Sequence, residues 1–448
     1  MLRSFHSPAA ALAAALVVAA PFVGATALAP SNHGDPSNGT EPAPRQDARP
    51  ARPVGGDLAI RAGLIHTMAG DPITRGVILI EDGLVTAVGK DTEVTIPDDF
   101  RIVEARVAVP GLVDAHTCVG LAGWLNVDHD KDEVDRTGSA QPELRAIDAY
   151  NPREPLVGWL RGFGVTTVHT GHAPLALISG QTMIAKTVGD TVEEAVLVPE
   201  AMIAACMTSA ARGDGGPGTR AKVMAQLREH LHTGVAHMEA LAEAEADDEK
   251  DAPARDLRKE ALARIARGDT PLMVTAHESA DLINVLRLQA EFPGVRFVID
   301  GAAEAPAVLD ELVEANLPII VHPTMYRAGG ETKDLSMETP KLLAEAGLLV
   351  AMQSGYEGYV PRTRVVLFEA AIAARYGLPF EQALAMCTID AARLIGVDDL
   401  VGSLEVGKHG DVALFDGDPF EYTTHCVGTV IEGRLVATGE RELEKQRR

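Results

Sequence analysis

Apolar and polar positions alternate with two different periods along the middle of the chain. Short apolar runs such as "PLMVTAH", "VRFVID" and "LPIIVHP" have the length of buried strands. Amphipathic segments such as "SADLINVLRLQAEF" and "APAVLDELVEAN" lie between them, with apolar residues at helical spacing. A strand followed by a helix, repeated many times, predicts a parallel sheet, and this number of units favours a closed barrel. We therefore predict an α/β protein with a closed barrel over residues 109–401.

The segments on either side of the barrel have a different pattern. Residues 57–108 and 402–440 contain short apolar runs divided by Gly and Asp, and the sequence Glu81-Asp82-Gly83 is typical of a hairpin turn. Each segment alone has too few strands to be independently stable, so we predict that the two pair in one composite β-sandwich domain. Residues 219–268 interrupt the barrel repeat with a long helical pattern and an acidic break.

The N-terminus has the pattern of an export signal. Arg3 precedes an apolar run, and small residues follow it at Ala25, Ala27 and Ala29. The run is shorter than the roughly 20 apolar residues that span a bilayer. We predict a signal peptide over residues 1–29, a disordered Pro-rich linker over residues 30–56, and an exported protein, periplasmic or extracellular, with no membrane span after cleavage.

Composition narrows the class of partner. The formal charge of -24 opposes the approach of a phosphate backbone, so nucleic acid is excluded as a partner. The sequence contains no GxSxG elbow, Walker loop or dinucleotide fingerprint. A small-molecule substrate or ligand is the remaining expectation, and the sequence leaves a homo-oligomer open.

Several motifs together carry a family resemblance. "RAGLIHTMAGDPITRGVILIEDGLVTAVG", "VPGLVDAHT", "GVTTVHTGHAPLALISGQTMIAKT" and "VGSLEVGKHGDVALFDGDPFEY" resemble the amidohydrolase superfamily, and specifically its imidazolonepropionase-related branch. The resemblance runs from Asp57 to Gly439. It implies a distorted (β/α)8 barrel with a composite β-sandwich, and hydrolysis of non-peptide carbon–nitrogen bonds by metal ions held at the C-terminal ends of the strands.

Most of the metal positions that the resemblance implies are altered. The first strand has His116 followed by Cys118, where two histidines are expected. The other positions, in chain order, are occupied by Ile203 for a lysine, Thr275 and Gly301 for two histidines, and Gly355 or Ser354 for the catalytic aspartate. Cysteine can ligate zinc, but isoleucine and glycine offer no ligating side-chain atom. The resemblance therefore implies an altered centre, and we predict that the usual two-ion site is absent.

Polar residues near the predicted strand ends supply candidates for the site. A relocated site with at most one divalent ion, zinc being favoured by the ligand types, would use His116, Cys118, His277 and Asp300. Candidates for substrate binding are Arg153, His169, His172, His322 and Gln353. The alternative is that these side chains only bond loop backbone and that no ion is held, because no tight ligand spacing such as HExxH occurs. No residue is assigned a catalytic role.

Two functions remain open at this point. The first is an exported hydrolase of amide or cyclic amide bonds with an altered or mononuclear metal site. The second is a catalytically inactive protein that keeps the barrel as a binding protein or scaffold, since a fold does not determine a function.

Overall fold

The computed structural model describes residues 55–124, 127–213, 216–247, 249–358 and 363–438. The signal peptide predicted for residues 1–29 and nearly all of the linker predicted for residues 30–56 lie outside this part of the chain, so both stay predictions. Within the described ranges, no helix has the length and apolar character needed to cross a bilayer.

The strands fall into three hydrogen-bonded sheets. In chain order they are β1 (Leu58–Ile65), β2 (Ile73–Glu81), β3 (Leu84–Lys90), β4 (Arg101–Pro110), β5 (Leu112–Thr117), β6 (Val165–Thr170), β7 (Ile178–Gln181), β8 (Met183–Lys186), β9 (Val196–Val198), β10 (Ile203–Cys206), β11 (Leu272–Ala276), β12 (Phe297–Gly301), β13 (Ile319–Val321), β14 (Val350–Met352), β15 (Val412–Phe415), β16 (Cys426–Ile431) and β17 (Arg434–Ala437).

The helices, in the same order, are α1 (Pro155–Arg161), α2 (Val192–Ala195), α3 (Arg220–Ala246), α4 (Leu257–Arg267), α5 (Ser279–Glu291), α6 (Leu309–Ala315), α7 (Thr339–Glu345), α8 (Val366–Arg375), α9 (Phe380–Ala385) and α10 (Ile389–Ile395). Helices α3 and α4 are the helical interruption expected at residues 219–268. The Thr219 side chain caps α3 by accepting from Lys222 N, and Gly268 ends α4 in the left-handed conformation.

One seven-stranded sheet joins the two ends of the chain. Its order is β17-β16-β15-β4-β1-β2-β3, and the junction is the antiparallel pairing of β15 with β4. The hairpin turn predicted between β2 and β3 is present, and both of its central residues, Asp82 and Gly83, have positive φ values of 49° and 81°. That is the turn in which Asp-Gly fits the twist of the two strands.

The other strands build the barrel. Strands β10 to β14 pair in parallel, as do β5 and β6. Between them, β7 pairs with β10 and β8 pairs with β6, both antiparallel, and only Thr182 separates β7 from β8. On the far side, Gly355 N donates to His116 O at 3.0 Å, which joins β14 to β5. The predicted fold class, a TIM-like barrel with a composite domain, is confirmed.

Strand periodicity positions the functional side chains. Side chains inside the barrel form an apolar layer that includes Ala204, Met273, Val298, Ile320 and Ala351 and packs on helix α10. The side chains two residues further along each strand point the same way. They lie at the C-terminal mouth, and they are Cys206, Thr275, Asp300, His322 and Gln353.

Candidate functional site

Neighbouring strands bring a row of polar side chains to the barrel mouth. Cys206 is the register partner of Thr275, and Thr275 is the register partner of Asp300. This register corrects the sequence match of the fourth strand. Ile203 lies fully buried in the layer that faces the helices, because it is an odd number of residues from Cys206. The fourth-strand side chain at the mouth is therefore Cys206, which the sequence analysis missed.

Asp300 is the centre of this row. Its Oδ1 accepts hydrogen bonds from His116 Nδ1 at 3.1 Å and from Gln353 Nε2 at 2.7 Å, and its Oδ2 accepts from Thr275 Oγ1 at 2.6 Å. All four side chains are buried. Three of the residues named from sequence, His116, Asp300 and Gln353, therefore meet in one network, and Thr275 is a member that sequence reasoning had counted only as a lost ligand.

His116 and Asp300 form a buried ion pair. Burial lowers the pKa of His116, but the charge of Asp300 and its hydrogen bond outweigh burial and place that pKa above its usual value. Burial raises the pKa of Asp300, but the His116 charge and hydrogen bonds bring it below the usual range. Because Nδ1 of His116 is engaged, Nε2 is its remaining polar atom, and this buried atom has no hydrogen-bond partner among the described residues. Nε2 is therefore the atom through which this pair could take part in proton transfer.

Two further histidines of the barrel stay neutral. Burial lowers the pKa of both His169 and His322 to about 4. His169 uses both ring nitrogens within the barrel, because Nδ1 donates to Ala115 O at 2.6 Å and Nε2 accepts from Thr182 Oγ1 at 2.6 Å. His322 donates from Nδ1 to Pro323 O at 3.0 Å, which leaves Nε2 as a buried lone pair.

The other two predicted metal ligands, Cys118 and His277, lie in different surroundings. Cys118 is buried in a small apolar cluster with Ala122 and Ala173. Burial, and then the nearby carboxylates, raise its pKa well above the usual value, so the group is a thiol. His277 follows β11 and is half-buried, with its ring against Gly301.

The structure places the other two substrate-binding candidates away from this network. His172 is buried and lines a cavity of about 360 Å³ together with Asp132, Glu143 and Arg145. Arg153 is exposed and lies 3.8 Å from Asp190, in a surface cavity on the flank of the barrel. Neither cavity is lined by residues of the His116–Asp300 network.

Loops from three strands cover the mouth. Tyr326, in the loop after β13, donates its hydroxyl to Tyr356 O at 2.5 Å, and the Tyr356 hydroxyl donates to Glu133 at 3.2 Å. Glu331 further anchors the loop after β13 by accepting from Ser209 N at 2.8 Å and from Arg212 at 2.5 Å. Sequence reasoning did not detect this cover, since tyrosines in loops have no pattern that predicts long-range partners.

One acidic cluster has ligand geometry, but it is neutralised by arginines. Within the described ranges, this cluster consists of Glu278, Asp281 and Glu331. Each offers one ligand atom, and these atoms all lie within 4.8 Å of one another. Arg220 pairs with Glu278 and donates to Asp281 at 2.9 Å, and Arg212 pairs with Glu331. The four metal candidates from sequence do not form such a group in the described part of the chain.

Comparisons with known proteins agree with the fold. The amidohydrolase family model matches residues 341–437. Amidohydrolase tasK of Hapsidospora irregularis is 24% identical over 394 residues, which are 80% of this chain but only 39% of tasK. Imidazolonepropionase of Maricaulis maris is 24% identical over 407 residues, covering 85% of this chain and 98% of that protein.

The solved structures include a similar chain of nearly the same extent. An amidohydrolase from Thermotoga maritima has a TM-score of 0.79 and 26% sequence identity, over 85% of this chain and 100% of its own. Together with the barrel, the composite sheet and the motifs that carry the resemblance, these matches support the amidohydrolase superfamily, in its imidazolonepropionase-related branch.

Proposed function

We propose that this protein hydrolyses non-peptide carbon–nitrogen bonds, in an amide or a cyclic amide, at a centre rebuilt around the His116–Asp300 pair. The hydrogen bonding of Asp300 is the observation that carries the proposal, since one buried carboxylate organises His116, Thr275 and Gln353. We also propose that the protein is exported, because its N-terminal sequence has the pattern of an export signal.

Amidohydrolases typically use metal ions such as zinc, so the fit of an ion matters. The mouth side chains do not fit a two-ion centre. Thr275 and Gly301 supply no imidazole, and Cys206 is a buried thiol whose pKa is raised to about 12 by loss of hydration. Asp300 already accepts from three donors, which leaves one of the roughly four lone-pair sites of its carboxylate for an ion. We propose at most one ion, and derive no step through it.

The pair has the chemistry of an acid–base catalyst. His116 Nε2 accepts a proton from water as the water oxygen attacks the carbonyl carbon, and returns that proton to the nitrogen as the carbon–nitrogen bond breaks. Asp300 holds the ring through Nδ1 and stabilises the imidazolium that forms in between. A positioned acid–base group contributes about 10²–10⁴-fold in rate. Both side chains of the pair are buried, which limits access of bulk water to them.

The first expected result concerns metal. Untagged protein should contain at most one equivalent of divalent metal by elemental analysis, because the ligands for a second ion are missing. If no ion is held, treatment with a chelator should leave the melting temperature and the hydrolysis of an amide and cyclic amide panel unchanged. Two equivalents of zinc, nickel or manganese would refute the rebuilt centre. Tight binding of a panel compound without turnover would instead favour the scaffold function.

The second expected result concerns pH. Neutral His116 is the base, and its pKa lies above the ordinary value of 6.5 because Asp300 outweighs burial. The kcat/KM of the protein should therefore increase as pH rises through an apparent pKa above 6.5, since only deprotonated His116 accepts a proton. A profile with its acidic limb below pH 6, measured over the range in which circular dichroism shows the native fold, would contradict this assignment.

A further inference from the structure

The ring of His277 lies where a side chain of strand β12 would start. A Cβ added to Gly301 would come within 2.6 Å of Cε1, 2.8 Å of Nδ1 and 3.2 Å of Nε2 of His277. The first two distances are below any real contact, so the imidazole occupies the space of a residue-301 side chain. Gly301 also has a φ of +98°, a conformation that favours glycine. The glycine that appears in sequence as a lost ligand is thus what makes room for His277.

Backbone hydrogen bonds hold His277 in this position. Ala302 N donates to Ala276 O at 2.7 Å, and Glu304 N donates to His277 O at 2.9 Å. These bonds join the end of β11 to the loop after β12 on both sides of the ring. The Nδ1 atom is buried and has no hydrogen-bond partner among the described residues, while the ring as a whole is only half-buried. The imidazole of His277, which follows strand β11, therefore occupies the position of a side chain on Gly301 of strand β12.

We propose that His277 binds the carbonyl oxygen of the substrate by donating an N–H hydrogen bond. This inference rests on the proposed function, in which His116 and Asp300 handle the proton but nothing yet polarises the carbonyl. His277 is next to Asp300, because the β11–β12 register sets Thr275 against Asp300 and Ala276 against Gly301. His322, the other imidazole at this side, is buried and already donates to Pro323 O, whereas His277 is only partly buried.

The hydrogen bond should act mainly in the transition state. The carbonyl oxygen gains negative charge as water adds, so a fixed donor interacts more strongly with it then than in the bound substrate. Loss of such a donor costs about 10²–10³-fold in kcat. His277→Phe keeps a ring over Gly301 but removes the donor, and we expect this fall in kcat with little change in KM. His277→Asn retains an N–H donor and should recover at least about tenfold of the loss.

Glycine variants test the placement of the ring. Gly301→Ala should displace the imidazole and lower kcat to a similar extent, whereas in a His277→Ala background the same change should cause no further loss. Gly347→Ala is the matched control, because Gly347 has a φ of +83° but open space around its Cα, so it adds the backbone strain without a collision. It should keep full kcat, and melting temperatures of all variants should be recorded beside the rates.

The outcomes distinguish a wrong role for His277 from a wrong proposed function. Wild-type kcat in His277→Phe would overturn the role of His277 and leave the proposed hydrolase intact. A further loss from Gly301→Ala in the His277→Ala background would also overturn it, since Gly301 would then act by some route other than the ring. Failure of the wild-type protein to hydrolyse any amide or cyclic amide of the panel would remove the proposed function, and the role of His277 with it.

Discussion

Replacing Asp300 with asparagine is expected to lower kcat by about 10²–10⁴-fold while the barrel remains folded. Asparagine has nearly the same shape and can still accept from Gln353 and exchange a hydrogen bond with Thr275, so packing around it is preserved. It has no charge, so it no longer stabilises the imidazolium that forms on His116. The loss should therefore appear in kcat, measured by steady-state kinetics on the best substrate of the panel.

The same substitution at an exposed site serves as the control. Asp98 is exposed on the composite domain, and Asp98→Asn should leave both kcat and melting temperature close to the wild-type values. The pH profile offers a second readout in Asp300→Asn, because the charge that raises the pKa of His116 has been removed. The acidic limb should move to lower pH. A kcat within threefold of wild type would show that the His116–Asp300 pair is not the centre.

The second large effect is expected from Lys186→Met, which should lower the free energy of unfolding by about 3–5 kcal/mol. Lys186 is fully buried on barrel strand β8, and its ammonium pairs with Asp411 just before β15 of the composite sheet. Methionine fills a similar volume but leaves the carboxylate buried without its cation. In the native protein, burial raises the pKa of Asp411, but the charge of Lys186 lowers it by more. Without Lys186, that pKa would rise. Denaturant unfolding followed by circular dichroism measures the change.

A double variant distinguishes the unpaired charge from lost packing. Asp411→Asn removes the charge but keeps an acceptor for Glu432 N, which Asp411 Oδ1 now binds at 3.0 Å. Lys186→Met with Asp411→Asn should therefore recover much of the stability lost in Lys186→Met alone. The exposed pair of Arg145 and Asp148 is the comparison, and Arg145→Gln should cost only about 0–1 kcal/mol. Equal losses in the single and double variants would mean that the loss comes from packing and not from the unpaired charge of Asp411.

Local pattern was enough to predict the architecture of this chain. Strand length, helical spacing and Gly-Asp turns depend on residues close in sequence, so the barrel, the hairpin at Asp82 and Gly83, and the helical interruption that became α3 and α4 could be predicted from it. The pairing of the two end segments followed from the same kind of argument, because neither has enough strands to be stable alone.

The sequence also predicted an altered centre, with Thr275 and Gly301 at two ligand positions of the family, because that prediction depends only on residue type. The side chains that meet at the barrel mouth could not be predicted in the same way. Register across β10, β11 and β12 placed Cys206, rather than Ile203, in the row with Thr275 and Asp300, and a shift of one residue reverses which face a side chain occupies. Only tertiary structure brought His116 and Asp300, 184 residues apart, within hydrogen-bonding distance and laid His277 over Gly301. Such contacts depend on where strands end in space, which spacing along the chain does not encode.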